Sequence, residues 1–222
     1  MIELIVLLGN HGKQYQNNRH NTAWLLWEKT RLSSLVSMQK KFKGRYGSID
    51  YQKLKGNRGL QEWQDKAEQL LKRGPKVHQF PDQYPDKIHC LLPETYMNLS
   101  GDAAGEAASF YKIPAERILV VHDELELPLG TVSFKFSGGL GGHNGLRSMK
   151  ANLGTADFWR FRIGIGRPDH GDIASYVLSD FTKEESSILE GVLSISAFAL
   201  EFALVFGPEV MLPAWNKRSL IT

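Results

Sequence analysis

The chain has 222 residues, of which 42% are hydrophobic and 23% charged, a composition ordinary for a globular protein able to bury one substantial core. A single cysteine, Cys90, excludes an internal disulfide and a thiolate metal cluster and fits a reducing, cytoplasmic setting, while no uninterrupted apolar run reaches the roughly 20 residues of a membrane span. The formal net charge is only +3, but Gln39 to Lys76 holds eleven Lys or Arg against four Asp or Glu (a local net of +7), and Lys135 to Arg167 holds six against one (a local net of +5). The rest of the chain therefore carries −9. Such segregation suits a polyanionic partner, because clustered cations raise the local potential and displace condensed counterions.

Ile2 to Leu8 is an apolar run ended by Gly9-Asn10, the pattern of a strand covered on both faces, and its acidic start is unlike a signal peptide. Thr22 to Leu35 carries Trp24, Leu25, Trp27, Leu32 and Leu35 at near-helical spacing. A second, highly charged helix has Leu60, Trp63, Ala67, Leu70 and Leu71 on one face and is expected to stop at Gly74-Pro75. Ile88 to Leu92 reads as a strand halted at Pro93, and Gly101 to Tyr111 as a helix with Ser100 as its N-cap. Pro114 opens another short helix, and Arg117 to Val121 is a strand ending in His122-Asp123-Glu124. Thr131 to Phe136 and Phe158 to Ile165 alternate as strands, separated by a glycine cluster and a helix from Asn144 to Leu153. Thr182 and Glu185 form a capping-box pattern at the head of a long apolar helix reaching Phe206. Interleaved strands and helices predict a single α/β domain, residues 1–222, around a mixed sheet, with a basic insertion at about 40–86. The stretch after Gly207 is open between a loose tail and a latch against a neighbour.

Common catalytic signatures are absent: there is no H-E-x-x-H pair, G-x-S-x-G elbow or G-K-[ST] phosphate loop. The run Ser137 to Gly145 is not a dinucleotide fingerprint, since Asn144 stands where the third glycine belongs, so no nucleotide cofactor is expected. His89 beside Cys90 is a poor nucleophile–base pair, because neighbours on a strand point to opposite faces. What remains is a set of polar residues at strand ends, where open α/β sheets bind ligands. These are Asn10, Asn98, Asp123, His143 and Asn144, with His20 in the loop after Asn10.

The blocks GNHGKQYQNNRHN (Gly9 to Asn21), TYMNLSG (Thr95 to Gly101), VHDELELPLG (Val121 to Gly130), GGHNGLRS (Gly141 to Ser148), FRIGIGRP (Phe161 to Pro168) and YVLSDFTKEE (Tyr176 to Glu185) together resemble the bacterial-type peptidyl-tRNA hydrolases. They occur in the family's order and span the chain except about residues 40–86 and the last dozen. The resemblance implies a single-domain α/β/α sandwich with a central twisted mixed sheet. It also implies a monomeric, cytoplasmic enzyme with no cofactor or metal, acting on the tRNA acceptor arm and its attached peptide. It assigns His20 as catalytic base and Asp123 as its partner, with substrate contacts at Asn10, Tyr15, Met97, Asn98, His143 and Asn144. Arg162 is the implied acceptor-arm contact, with Lys135 and Arg147 as weaker suggestions. One departure is His11 in place of the family proline, which removes a fixed φ from the loop of Asn10. The other is the length of the 40–86 segment.

The chemistry suits these residue types. An ester to a ribose hydroxyl cleaves more readily than an amide, so one positioned water and one general base suffice. An ordinary histidine, with a pKa of about 6.5, is largely neutral at cellular pH and accepts the water's proton. An aspartate beside it holds the tautomer and stabilises the imidazolium, and carboxamide N–H groups serve the developing oxyanion. The alternatives are a catalytically inactive RNA-binding member of the same fold, which the full residue set argues against, and a phosphorylase or nucleosidase, which would need a phosphate or base pocket.

Overall fold

The computed structural model describes residues 1–71, 75–168 and 170–221. In chain order, β1 (Leu4–Leu7) leads through two short 3₁₀ turns into α1 (Thr22–Lys29) and α2 (Leu32–Leu35). There follow β2 (Gln39–Lys41), β3 (Gly44–Asp50), α3 (Tyr51–Lys55), α4 (Leu60–Leu71) and β4 (Lys87–Pro93). The second half comprises α5 (Ser100–Tyr111), β5 (Ile118–Glu124), β6 (Thr131–Phe136), α6 (Asn144–Leu153) and β7 (Trp159–Gly164). It closes with α7 (Ile173–Val177), α8 (Lys183–Phe206), α9 (Leu212–Trp215) and β8 (Arg218–Ser219).

All eight strands join one mixed sheet in the order β2-β3-β4-β1-β5-β7-β6-β8. The centre is parallel, with β1 between β4 and β5 and with β7 beyond β5. The flanks are antiparallel, β2 and β3 on one side and β6 and β8 on the other. Because side chains alternate along a strand, β1 divides its apolar residues between two layers. Ile5 and Leu7 pack with α1, α4 and α8, whereas Leu4 and Val6 pack with Ala103, Ala104, Leu146 and Met149 of α5 and α6. The fold is thus an α/β/α sandwich, as the resemblance implied.

The parallel centre sends β1, β4 and β5 to the same end of the sheet, and that convergence builds the site. On the small-residue side, α5 and α6 approach unusually closely. A Cβ on Gly101 would lie 2.0 Å from the Ser148 carbonyl oxygen, and the Gly101 N–H donates to Ser148 Oγ at 2.9 Å. A Cβ on Gly145 would likewise meet the Met97 sulfur at 2.6 Å. These contacts place the start of α6 against the turn that precedes α5.

Several local expectations change in the structure. The single helix expected from Thr22 to Leu35 breaks at Thr30, whose backbone is extended, because the buried Glu201 of α8 takes both the Arg31 N–H (2.8 Å) and its Nε (2.7 Å). Ser100 is the first residue of α5 rather than its cap, and its hydroxyl donates back to the Met97 carbonyl at 2.9 Å. Of the segment read as an insertion, β2 and β3 belong to the sheet, and α4 packs on α8 with Trp63 stacked 5.7 Å from Phe198. The expected stop at Gly74 lies outside the described residues. The capping box of Thr182 and Glu185 forms at the head of α8. By length and a mean hydropathy of 1.9, α8 would suffice to cross a membrane, but 72% of that stretch is buried inside the protein. After Gly207 the chain is no loose tail but packs on its own core: Trp215 is wholly buried, and β8 pairs with β6.

Candidate active site

The centre of the site is Asp123, near the end of β5 and only 2% exposed. Its two oxygens lie 3.0 and 2.9 Å from His20 Nδ1, and one of them lies 3.1 Å from His143 Nε2. The partners determine the proton positions. His143 caps α6, its Nδ1 accepting the N–H groups of Gly145 (3.1 Å) and Leu146 (3.3 Å). Its proton is therefore on Nε2, which donates to Asp123. His20 also donates from Nδ1, since an ionised carboxylate only accepts. In the neutral ring the lone pair then falls on Nε2, and the His20 side chain lines the cleft.

Burial alone would favour a protonated Asp123, but the two imidazoles outweigh it and hold the carboxyl well below the usual carboxylate range. His122, next in the chain, is held neutral by burial and by the neighbouring His143, with Nδ1 donating to the Asp123 carbonyl at 2.6 Å. The His89–Cys90 pair is excluded as chemistry: burial pushes the Cys90 thiol up to about 12, and His89 is hydrogen-bonded to Tyr46. His20, Asp123 and His143 are close enough to share a cation. To take them, a metal would have to displace both imidazole protons that now bond the carboxylate, so the donor set fits a hydrogen-bonded relay better than a metal centre.

A cleft of about 570 Å³ opens over this relay. It brings together Asn10, Tyr15, His20, Met97, Asn98, Asp123, His143, Asn144 and Arg147 from separate stretches of the chain. The three asparagines differ in their freedom. Asn10 is buried; its Oδ1 accepts the Met97 N–H at 2.8 Å, and its backbone exchanges hydrogen bonds with the Asn21 carboxamide at 2.7 and 3.0 Å. These bonds hold the loop where the family proline is replaced by His11, and they leave only the Asn10 NH₂ group for a ligand. Asn144 Oδ1 accepts from Arg147 at 3.3 Å. Asn98 is exposed with its whole carboxamide available.

Lys135 and Arg162 fall outside the cleft, in an adjoining groove that also contains Glu126 and Lys217. Arg162 is engaged there, donating to Ser133 Oγ at 2.8 Å and lying 3.6 Å from Glu124. Arg147 is the exposed cation at the cleft itself. Sequence reasoning missed the apolar wall of the cleft formed by Ile173, Ala174 and Val177 of α7 and by Leu178. Its legible signal was the Ile173/Val177 spacing of four residues behind Asp172, which caps α7 through the Ser175 N–H. Tyr96, exposed at the cleft rim, was missed as well.

A carboxylate bonded to one imidazole at a cleft lined by carboxamides is an arrangement suited to hydrolysis by an activated water. The comparisons are more specific. A family model described as peptidyl-tRNA hydrolase matches residues 4–220. The peptidyl-tRNA hydrolase of Treponema pallidum is 42% identical over 227 residues, covering 100% of this chain and 98% of that protein. That of Geotalea daltonii is 37% identical over 221 residues, covering 99% of each. A crystal structure of peptidyl-tRNA hydrolase from Acinetobacter baumannii aligns with a TM-score of 0.73 at 30% identity, covering 98% of this chain and 96% of that one. The chain belongs to the peptidyl-tRNA hydrolase family.

Proposed function

We propose that this chain hydrolyses the ester between a peptide and the 3′ ribose of tRNA, releasing free tRNA, with His20 as general base. The observation that carries the mechanism is the Asp123 carboxylate bonded to His20 Nδ1 at 2.9 Å, which fixes the neutral ring as the tautomer with its lone pair on Nε2, on a side chain lining the cleft. Water bound there gives its proton to Nε2 as its oxygen attacks the ester carbonyl. The imidazolium that forms is stabilised by Asp123, whose charge persists because His143 donates to it from the other side. Collapse of the tetrahedral intermediate returns the proton to the departing ribose oxygen.

Asn98 and the free NH₂ of Asn10 donate to the substrate carbonyl and its developing oxyanion, with Asn144 positioning water or the next peptide unit. Tyr15 and Met97 line the acyl position. Arg147 meets phosphate at the mouth, with Lys135 and Arg162 continuing the contact in the adjoining groove. The enzyme works in the cytoplasm as a monomer, without a metal or cofactor. Intact aminoacyl-tRNA is spared because its ammonium would have to enter a partly apolar cleft, where an unpaired charge is costly. Comparing N-acetylated with free aminoacyl-tRNA tests this selectivity, and equal rates would reject it. The central test is turnover of N-acetyl-aminoacyl-tRNA by His20→Ala. A loss of about 10²- to 10⁴-fold with unchanged tRNA affinity is expected, and wild-type turnover would overturn the assignment.

A further inference from the structure

The 3₁₀ turn carrying His20, Arg19–Asn21, is three residues long and has little stability of its own. Both ends are tied elsewhere. Asn21 holds the Asn10 loop through the paired hydrogen bonds already described. At the other end Arg19 is 4% exposed, and its guanidinium is a junction. Nη1 donates to Ser179 Oγ at 2.6 Å and to the carbonyls of Ser179 (3.2 Å) and Asp180 (2.6 Å), while Nη2 donates to Glu185 Oε2 at 2.6 Å. The same cation lies 4.2 Å from the Tyr176 ring centre and 5.0 Å from that of Phe181. The Arg19 N–H also bonds the Ser179 carbonyl at 3.1 Å, and Asn18 bridges to Asp180. Glu185 Oε2 simultaneously accepts the Thr182 N–H in the capping box of α8.

One side chain thus joins the turn of His20 to the connection between α7 and α8. The wall that α7 presents to the cleft is apolar, with Ile173 40% and Leu178 44% exposed. Base and wall, about 160 residues apart in sequence, are tied by backbone bonds at Asn18 and Arg19 and, among side chains, by the Arg19 guanidinium.

We propose that Arg19 is a positioning residue for the hydrolysis, setting the distance between the His20 imidazole and the α7 wall so that an acyl group resting on Ile173, Val177 and Leu178 presents its ester to the activated water. The proposal rests on the reading of His20 as base. A planar fork satisfies several acceptors in fixed directions while stacking on two rings, which a lysine ammonium cannot reproduce. A misplacement of about 1 Å between base and ester suffices to cost about 10²-fold in rate.

The test is steady-state hydrolysis of N-acetyl-phenylalanyl-tRNA by Arg19→Lys and Glu185→Gln, beside His20→Ala. Glu185→Gln supplies a carboxamide oxygen that can still accept the Thr182 N–H of the capping box and removes the charge opposite Arg19. Folded Arg19→Lys is expected to lose about 10²-fold in kcat with KM changed less than about twofold, and Glu185→Gln a smaller loss of the same kind. A wild-type kcat per folded molecule in Arg19→Lys overturns the proposal. Should that variant fail to fold, a wild-type kcat in Glu185→Gln overturns it equally. A purely structural staple would lower the folded fraction and leave kcat per folded molecule unchanged. If His20→Ala is inactive while both variants match wild type, the positioning role alone fails; if His20→Ala remains active, the base assignment fails first.

Discussion

The helices on the two faces of the sheet meet their neighbours differently. The face covered by α1, α4, α8 and α9 is filled with large rings: Trp27, Trp63, Phe198, Phe202 and Trp215 are buried in one cluster. The face covered by α5 and α6 also buries Phe42, Tyr46 and Phe158, but the seam of α5 is small-residued, with Ala103, Ala104, Ala107 and Ala108 buried and Gly101 against the backbone of α6. Each large ring buries more apolar area than an alanine and so contributes more to stability. Small residues permit the close backbone approach that places Asn98 next to His143 and Asn144. One face holds the molecule together, and the other sets the geometry of its chemistry.

Variants can separate these two contributions. The largest effect falls on His20→Ala, with turnover down about 10²- to 10⁴-fold and a melting temperature close to wild type, read by kinetics and calorimetry on the same sample. Next is Phe202→Ala on the ring-filled face, which should cost about 3–5 kcal/mol of stability in denaturant titration while kcat per folded molecule stays unchanged. Gly101→Ala joins the two. Its methyl would overlap the Ser148 carbonyl, costing about 1–3 kcal/mol and lowering kcat together, since relief requires α6 to move with His143 and Asn144. Stability loss without any change in kcat would show that the small-residue face does not set the site.

Arg147→Ala should weaken tRNA binding and flatten its salt dependence by about one unit of slope, leaving cleavage of a short ester untouched. The smallest effect concerns acid stability. The carboxyl of Asp123 is depressed by its two imidazoles, so its contribution is present above the unfolded value of about 3.9 and is lost as pH falls through the lower folded value. Melting temperature against pH below about 4 should therefore fall less steeply in Asp123→Asn than in wild type.

The order of strands and helices was readable because it depends on local pattern. The β1 run, the alternation of Thr131 to Phe136 and the capping box at Thr182 each act within a few residues. The relay residues were readable for a different reason: His20, Asp123 and the asparagines stand in short blocks of distinctive order. The break at Thr30 was not, because it depends on Glu201, 170 residues from Arg31. Nor was the engagement of Arg162, since its alternating pattern with Arg160 suggests an exposed face, whereas Ser133 and Glu124 arrive from other strands.

By itself, then, the sequence determined the α/β class, the capping box at Thr182 and the family to which the chain belongs, because periodicity, turn chemistry and short ordered blocks are properties of neighbouring residues. Tertiary structure decided which imidazole nitrogen is left bare, which asparagine is free, where α7 closes the cleft and which cations reach it. Those outcomes depend on hydrogen-bond partners and excluded volume supplied by segments far away along the chain, as when Gly145 and Leu146 occupy His143 Nδ1 and so direct its proton to Asp123.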